Sequence, residues 1–337
     1  MYRHSIYHSM KAVKIRSNSQ RLRKSIKALA CTIAFSFLAS HCQVQSGEKD
    51  ETLELAFLAT VLNGCTANSI VAVTSSRTVY EGTSPDSLAV NPELSGFSGS
   101  LPYHASVSTD GQWLALNVLN APASALPGVL LFSSGTGRWA LQGSLPNNGW
   151  DLRFFRFSGP SSGHLSIGTG STYRVHTADV SGNTSLVFDY PEVSYGPYGT
   201  TSGRILFASP SLGIGDIGLY DYSNGVIGPL FEEASQDVSW FTASPDGSVI
   251  AYLVSGVENR VFVQSPLGIQ SFTTAELNLT SGPGAFDLTD DGRFLVSADS
   301  GGNLYSMDLT TGKREFHFTG IAEPVETLDV PCGLPGL

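Results

Sequence analysis

The chain has 337 residues, enough for one large all-β domain or two ordinary ones, and only 14% of them are charged. Its 36 glycines, with frequent Ser and Thr, suit short strands joined by tight turns, where Gly supplies the positive φ angles; an architecture of long helices is excluded. Eight of the 19 basic residues lie in 1–41, which holds no Asp or Glu, leaving 11 basic against 29 acidic residues and a formal charge of −18 for the remainder. A domain that acidic repels phosphate backbones, which argues against non-specific nucleic-acid binding.

Residues 1–41 read as a signal peptide. Basic residues from Arg3 to Lys27 precede an apolar run, Ala28 to Ser40, of the length expected for the h-region of an export signal and too short to span a bilayer comfortably. Met10 is a second candidate start that leaves a more usual n-region. Leu38-Ala39-Ser40-His41-Cys42 then resembles a lipobox, with Leu38 one residue further back than usual and His41 where a small residue is the rule. The resemblance implies a lipid anchor on Cys42 and a place in the bacterial cell envelope, periplasmic or on the outer surface. Ordinary cleavage near Ala39–His41 and secretion is the alternative. Residues 42–64 read as a polar tether, QVQSGEKDET, followed by an apolar segment, Leu53 to Gly64. That segment predicts a short helix docked on the domain or a membrane-surface segment, with Asn63-Gly64 as its C-cap.

Residues 65–337 carry a repeat. Strong copies are STDGQWLAL around Gly111, SPDGSVIAY around Gly247 and LTDDGRFLVS around Gly292; weaker ones are PSSGHLSIG at Gly163 and TTSGRILFA at Gly203, with a last at Gly333. In each, a strand enters a Ser/Thr/Pro-Asp/Ser-Gly turn and a second apolar strand leaves it. Third strands follow (GVLLFSS, YRVHTAD, IGLYDYS, RVFVQS, NLYSMDL), and then fourth ones (WALQGSL, SLVFDY, VIGPLFE, QSFTTA, KREFHF). Four strands per ~45 residues predict the blades of an all-β, six-bladed β-propeller. A seven-bladed ring is the alternative, and a sandwich or barrel is the competing class for any Gly-rich all-β chain.

GNLYSMDLTTGKREF resembles the outer strands of quinoprotein-type and lactonase-like propeller repeats, and the SPDG turn resembles WD-repeat-like blades of bacterial propellers. No Trp-Asp blade signature accompanies them. The ring's ends are uneven: the last unit stops after PVETLDV, while SIVAVT (69–74), RTVYEG and DSLAVN precede the first full unit. The termini are therefore expected to share one blade. Cys31 leaves with the signal peptide and Cys42 would be acylated, so Cys65 and Cys332 remain, and an exported protein can keep a disulfide between them across that missing turn.

His104, His164, His176 and His317 fall in different units without metal-ligand spacing, and no nucleophile elbow or P-loop is present. Asp287 to Gly292 resembles the opening of a calcium loop, but Ala298 stands where the closing Glu is needed; Asp290 and Asp291 read instead as turn residues. The inner strands (HASVS, FRFS, SWFTA, GAFDL) show one acid, Asp287, which argues against a hydrolytic metal site in the channel. No metal or cofactor is implied. What remains is a binding or scaffolding role, with a propeller-fold hydrolase or lactonase as the alternative. Irregular Gly/Pro/Tyr-rich loops place Tyr103, Trp150, Tyr190, Tyr195 and Tyr198 near one rim, a candidate face for a protein or glycan partner; the same rings could equally cap the propeller's own blades.

Overall fold

A computed structural model describes residues 70–95, 101–119, 128–135, 138–145, 151–168, 173–190, 195–210, 216–256 and 258–330. The chain enters on three strands, β1 (Ile70–Thr74), β2 (Val79–Gly82) and β3 (Ala89–Val90), with a short helix at Pro92–Ser95. Blade 1 holds β4 (Leu101–Val107), β5 (Trp113–Leu119), β6 (Gly128–Gly135) and β7 (Arg138–Ser144). Blade 2 holds β8 (Asp151–Phe157), β9 (Ser162–Gly168), β10 (Tyr173–Asp179) and β11 (Thr184–Tyr190). Blade 3 holds β12 (Tyr195–Gly199), β13 (Ile205–Pro210), β14 (Ile217–Ser223) and β15 (Val226–Phe231). Blade 4 holds β16 (Asp237–Ala243), β17 (Ile250–Ser255), β18 (Arg260–Ser265) and β19 (Gly268–Thr273). Blade 5 holds β20 (Phe286–Leu288), β21 (Phe294–Ala298), β22 (Leu304–Asp308) and β23 (Arg314–His317), and β24 (Val325–Asp329) ends the described chain.

These strands form six four-stranded antiparallel sheets, the sixth ordered β24-β1-β2-β3. Its inner strand therefore comes from the C-terminal end of the domain and its three outer strands from the N-terminal end. Val71 pairs with Asp329, Ala72 with Leu328 and Val73 with Thr327. The inner strands β4, β8, β12, β16, β20 and β24 neighbour one another in that order and β24 returns to β4, closing a six-bladed propeller. Two sheets stacked as a sandwich would not bring the inner strands round to one another in this closed order.

The core lies between blades. Every residue of β1 and of β21 is buried, because second strands are covered on both faces by neighbouring blades. They read as continuous apolar runs rather than alternating ones for that reason. Val71, Val73 and Val79 pack on Leu114, Leu116, Leu130 and Phe132 across the junction of blades 6 and 1. Outermost strands are exposed, as β19 shows along most of its length.

Among the described residues the turn signal has a common mechanism with one exception; the Gly333 copy lies outside them. In blade 4 the Ser244 hydroxyl donates to Asp246 (2.6 Å), accepts the Val249 N–H (3.0 Å), and the Gly247 N–H closes on the Ser244 carbonyl (2.8 Å). Ser108/Asp110 in blade 1 and Thr289/Asp291 in blade 5 repeat it, and Gly247 and Gly292 take left-handed φ of 73° and 65°. Gly163 is different: it lies inside β9, where a Cβ would come within 2.2 Å of the Arg156 carbonyl oxygen. It is a close-approach glycine, not a turn glycine.

Candidate functional site

Each inner strand delivers one polar side chain to the channel at the same height: Ser106, Arg156, Tyr198, Thr242, Asp287 and Asp329, from blades 1 to 6 in order. In five blades this position lies two residues before the Ser or Thr that opens the turn, and in blade 6 two residues before Pro331. The inner strand runs towards its turn, so the fixed offset sets a fixed depth.

These groups join all six blades. Arg156 is 4% exposed. Its guanidinium donates to the Phe241 carbonyl (3.3 Å), the Thr242 hydroxyl (3.4 Å) and Asp287 Oδ1 (3.4 Å), and reaches Asp329 Oδ1 at 3.9 Å. It also lies over the Tyr198 ring, 4.7 Å from the centroid. Asp287 accepts the Thr242 hydroxyl and, through Oδ2, the Val330 N–H of the next blade (2.9 Å). Asp329 accepts the Val107 N–H of blade 1, and Ser106 accepts the Phe157 N–H of blade 2 (3.0 Å). One device thus recurs: the side chain at this position takes the backbone N–H of the following blade. Breaking such a buried pair by removing one partner costs about 3–5 kcal/mol where it strands a charge.

Electrostatics follow from burial among like charges. Burial and the neighbouring Asp287 raise the Asp329 carboxyl to about 8, against the opposing pull of Arg156; it holds a proton far more readily than an ordinary carboxyl. Burial, Asp329 and Asp287 likewise push Asp290 well above the carboxylate range. Burial holds the Tyr198 phenol well above its ordinary value. Above this layer the channel turns aromatic. His104, fully buried, packs on Phe154 (centroids 4.5 Å apart) and Trp240 (5.7 Å) and contacts Asn117 through Nδ1 (3.0 Å). Burial and Arg156 keep it neutral, well below the usual imidazole range.

At the turn end the ring leaves a cavity of about 20 Å³, lined by Ser106, Arg156, Tyr198, Asp287, Asp290 and Asp329 among others. That is room for about one water molecule. Among the described residues no group of three or more His, Cys, Asp or Glu is placed to hold a metal ion.

No family model matches the chain, and no curated protein matches it. Solved structures do. TolB from Acinetobacter baumannii is similar with a TM-score of 0.61 at 18% identity, over 83% of this chain and 71% of that one. A chain of a nidogen/laminin complex gives 0.54 at 11% identity, over 77% and 97%. The periplasmic gluconolactonase PpgL from Pseudomonas aeruginosa gives 0.49 at 12%, over 77% and 98%. The likeness is one of fold: a β-propeller.

The aromatic residues expected on a rim separate. Tyr190 and Tyr198 are each 7% exposed. Tyr190 packs edge-on against Phe207 (4.9 Å) inside the junction of blades 2 and 3, and Tyr198 belongs to the channel. Neither stands on an exposed loop, which corrects that expectation for these two: Tyr190 is the one buried residue of the otherwise solvent-facing β11, and Tyr198 lies within the inner strand β12. Tyr103 packs partly buried against the core shared by blades 4 to 6. Trp150 and the Tyr195 side chain lie outside the described residues, as do Cys42, Cys65, Cys332 and the segment 53–64. The expectation of a channel with Asp287 as its one acid is also corrected, since Asp329 and Asp290 join it. The missed residues carried a signal, the polar residue two places before each turn's Ser, Thr or Pro. It is visible only once the blades are aligned.

Proposed function

We propose that the protein is an exported, lipid-anchored propeller of the bacterial cell envelope that works as a binding or scaffolding module. The observation that carries this reading is the state of the channel. Its polar ring is spent on joining the blades, and the free space admits a water-sized group and no larger substrate. Recognition then falls to the surface and to the mouth of the channel. The acidic mature chain and the lipobox-like Cys42 support export and anchoring, and the TolB-like fold is compatible with them.

The test is fractionation of cells expressing the full chain. Wild type is expected in the membrane fraction with a co-purifying partner, and Cys42→Ser in the soluble fraction. Wild-type protein that is soluble and indistinguishable from Cys42→Ser refutes the anchor. The Cys65–Cys332 disulfide belongs to the same reading: Cys332 lies three residues beyond Asp329 and Cys65 six before Val71, and Asp329 and Val71 are paired. Non-reducing mass analysis of the exported protein is expected to show the bridge; two free thiols remove it.

A hydrolytic channel is the second reading, favoured by the three carboxyls, Asp287, Asp290 and Asp329, that line one cavity. Against it, Asp287 and Asp329 each commit an oxygen to a neighbouring blade's backbone. Hydrolysis of lactones that disappears in Asp290→Asn would establish it.

A further inference from the structure

The turn end of the channel combines unspent hydrogen-bonding groups with more carboxyls than cations, a set that an incoming cation would let ionise. Tyr198, more than nine-tenths buried, lines the cavity, and its hydroxyl has no hydrogen-bond partner among the described residues. Asp290 lines the same cavity and makes no hydrogen bond among them either. Asp287 and Asp329 lie behind, so three carboxyls face one guanidinium. The Thr242, Val330 and Val107 donors already occupy the deeper oxygens, which leaves Asp290 and Tyr198 as the groups open to an incoming ligand.

We propose that this mouth binds a protonated primary amine, with the ammonium donating to Asp290 and to the Tyr198 oxygen. Size and donor number both select that class. The cavity of about 20 Å³ takes a group the size of water, as an ammonium is, and excludes a guanidinium or a sugar ring. An ammonium brings three donors and tolerates loose geometry, whereas a metal ion needs convergent ligands, and the described carboxylates do not converge in that way. The charge it brings is the one the site lacks, which agrees with the raised proton affinity of Asp290 and Asp329. The amine has two sources: a free small amine, or a lysine of a protein partner docked on the turn face. The second rests on the binding role proposed above; the first does not.

The experiment titrates the full exported chain with methylammonium chloride and follows thermal stability and heat of binding. Tetramethylammonium chloride, potassium chloride and calcium chloride serve as controls. Methylammonium is expected to raise the Tm saturably and tetramethylammonium, which has no N–H and is too large, to leave it unchanged. Asp290→Asn is expected to weaken the response about tenfold or more, the loss of a charge-assisted hydrogen bond, and Tyr198→Phe to weaken it less. Circular dichroism checks that both variants are folded. Equal responses to all four salts, a calcium response stronger than the amine's, or an undiminished response in folded Asp290→Asn each overturn the proposal. An acetylated, amidated Gly-Lys-Gly peptide separates the sources. Tighter binding than methylammonium assigns the mouth to a lysine-bearing partner, and equal binding assigns it to free amines. Amine binding without any partner in membrane pull-downs would leave the site standing and the scaffolding role fallen.

Discussion

Blade 4 and blade 6 do the same geometric job with different chemistry, and the difference explains where the molecule keeps its charges. In blade 4 the inner strand β16 continues into β17 through Ser244-Pro245-Asp246-Gly247, so covalent connectivity and a self-bonded turn hold the inner strand in place. In blade 6 the inner strand β24 and its neighbour β1 come from opposite ends of the domain. Nothing in the described chain connects them except pairing and side chains. The channel ring reflects this: blade 4 contributes the neutral Thr242, while the carboxyls of blades 5 and 6 grip Val330 and Val107 on either side of β24. Further out, Thr74 and Ser76 both donate to Glu323 at 2.9 Å, and Arg77 pairs with Glu326. Polar cross-links gather where the chain does not run through.

Substitution along the ring tests this most sharply. Asp287→Ala removes the nearest counter-charge of buried Arg156 and strands the Val330 N–H, and is expected to cost ~3–5 kcal/mol. Asp329→Ala strands the Val107 N–H and is expected to cost ~2–3 kcal/mol, whereas Asp329→Asn, which can still accept that N–H, should cost under ~1 kcal/mol. Ser106→Ala, at the same position in a covalently continuous blade, should cost ~1 kcal/mol. Urea unfolding of the four variants gives the order. A Ser106 effect equal to that of Asp287 would mean that the seam has no special need of its carboxyls.

The second contrast is in pH. Asp329 binds its proton more tightly in the folded chain, up to about 8, than in the unfolded one, where an ordinary carboxyl titrates near 3.8. Between those values the folded state holds the proton and the unfolded state does not, so stability falls as pH rises, by up to ~1.4 kcal/mol per unit. The four histidines of the described residues act in the opposite direction. His104, His164, His176 and His317 are all lowered by burial, His164 to about 4, so they add stability as pH rises, until the unfolded histidines have lost their protons about a unit above the ordinary imidazole value. Between pH 6.5 and 8 the two act against each other in wild type, so the clean reading is the difference between wild type and Asp329→Asn, in which the histidines cancel: wild type is expected to lose ~1.5 kcal/mol more than the variant. Asp290 adds a slope in the same sense to both proteins. Parallel profiles for wild type and Asp329→Asn across that window would show that Asp329 is ionised beside Arg156 at neutral pH.

Legibility in the sequence divides along the same line. The Ser/Thr-Asp-Gly turns are local, since each bonds within five residues, and so the blades and the shared closing sheet could be read from spacing. The ring is not local. Arg156 in FRFS and Asp329 in LDVPCG look like unremarkable strand residues, and Asp287 and Arg156 are separated by 131 positions. Their meeting depends on the closure of six sheets, which no short window records. Tyr198 fails for another reason. Its aromatic ring in a Gly/Pro-rich segment has the composition of an exposed loop, while Gly196 lets β12 come close against Phe241, where a Cβ would sit at 2.7 Å. The strand and its tyrosine are drawn inward.

The smallest effect compares turns. Arg77 stands at φ 66° in the β1–β2 turn, where its N–H closes on the Thr74 carbonyl (2.9 Å) as Gly247 and Gly292 do on Ser244 and Thr289. A non-glycine residue there costs ~1–2 kcal/mol of backbone strain. In blade 5, Gly292→Ala should lose at least that amount, because the new Cβ would also meet Val249 Cγ2 at 2.8 Å. In blade 6, Arg77→Gly should gain most of the same strain energy but forfeit the partly exposed pair with Glu326 on β24, worth ~0.2–1 kcal/mol, and free the unfolded chain further. The net change is expected to lie within ~1 kcal/mol of zero. A double-mutant cycle with Glu326→Gln separates the parts: if the pair couples β1's turn to β24, Arg77→Gly becomes more stabilising in the Gln background. Identical effects in both backgrounds would show that the arginine is tolerated at this turn without serving the seam.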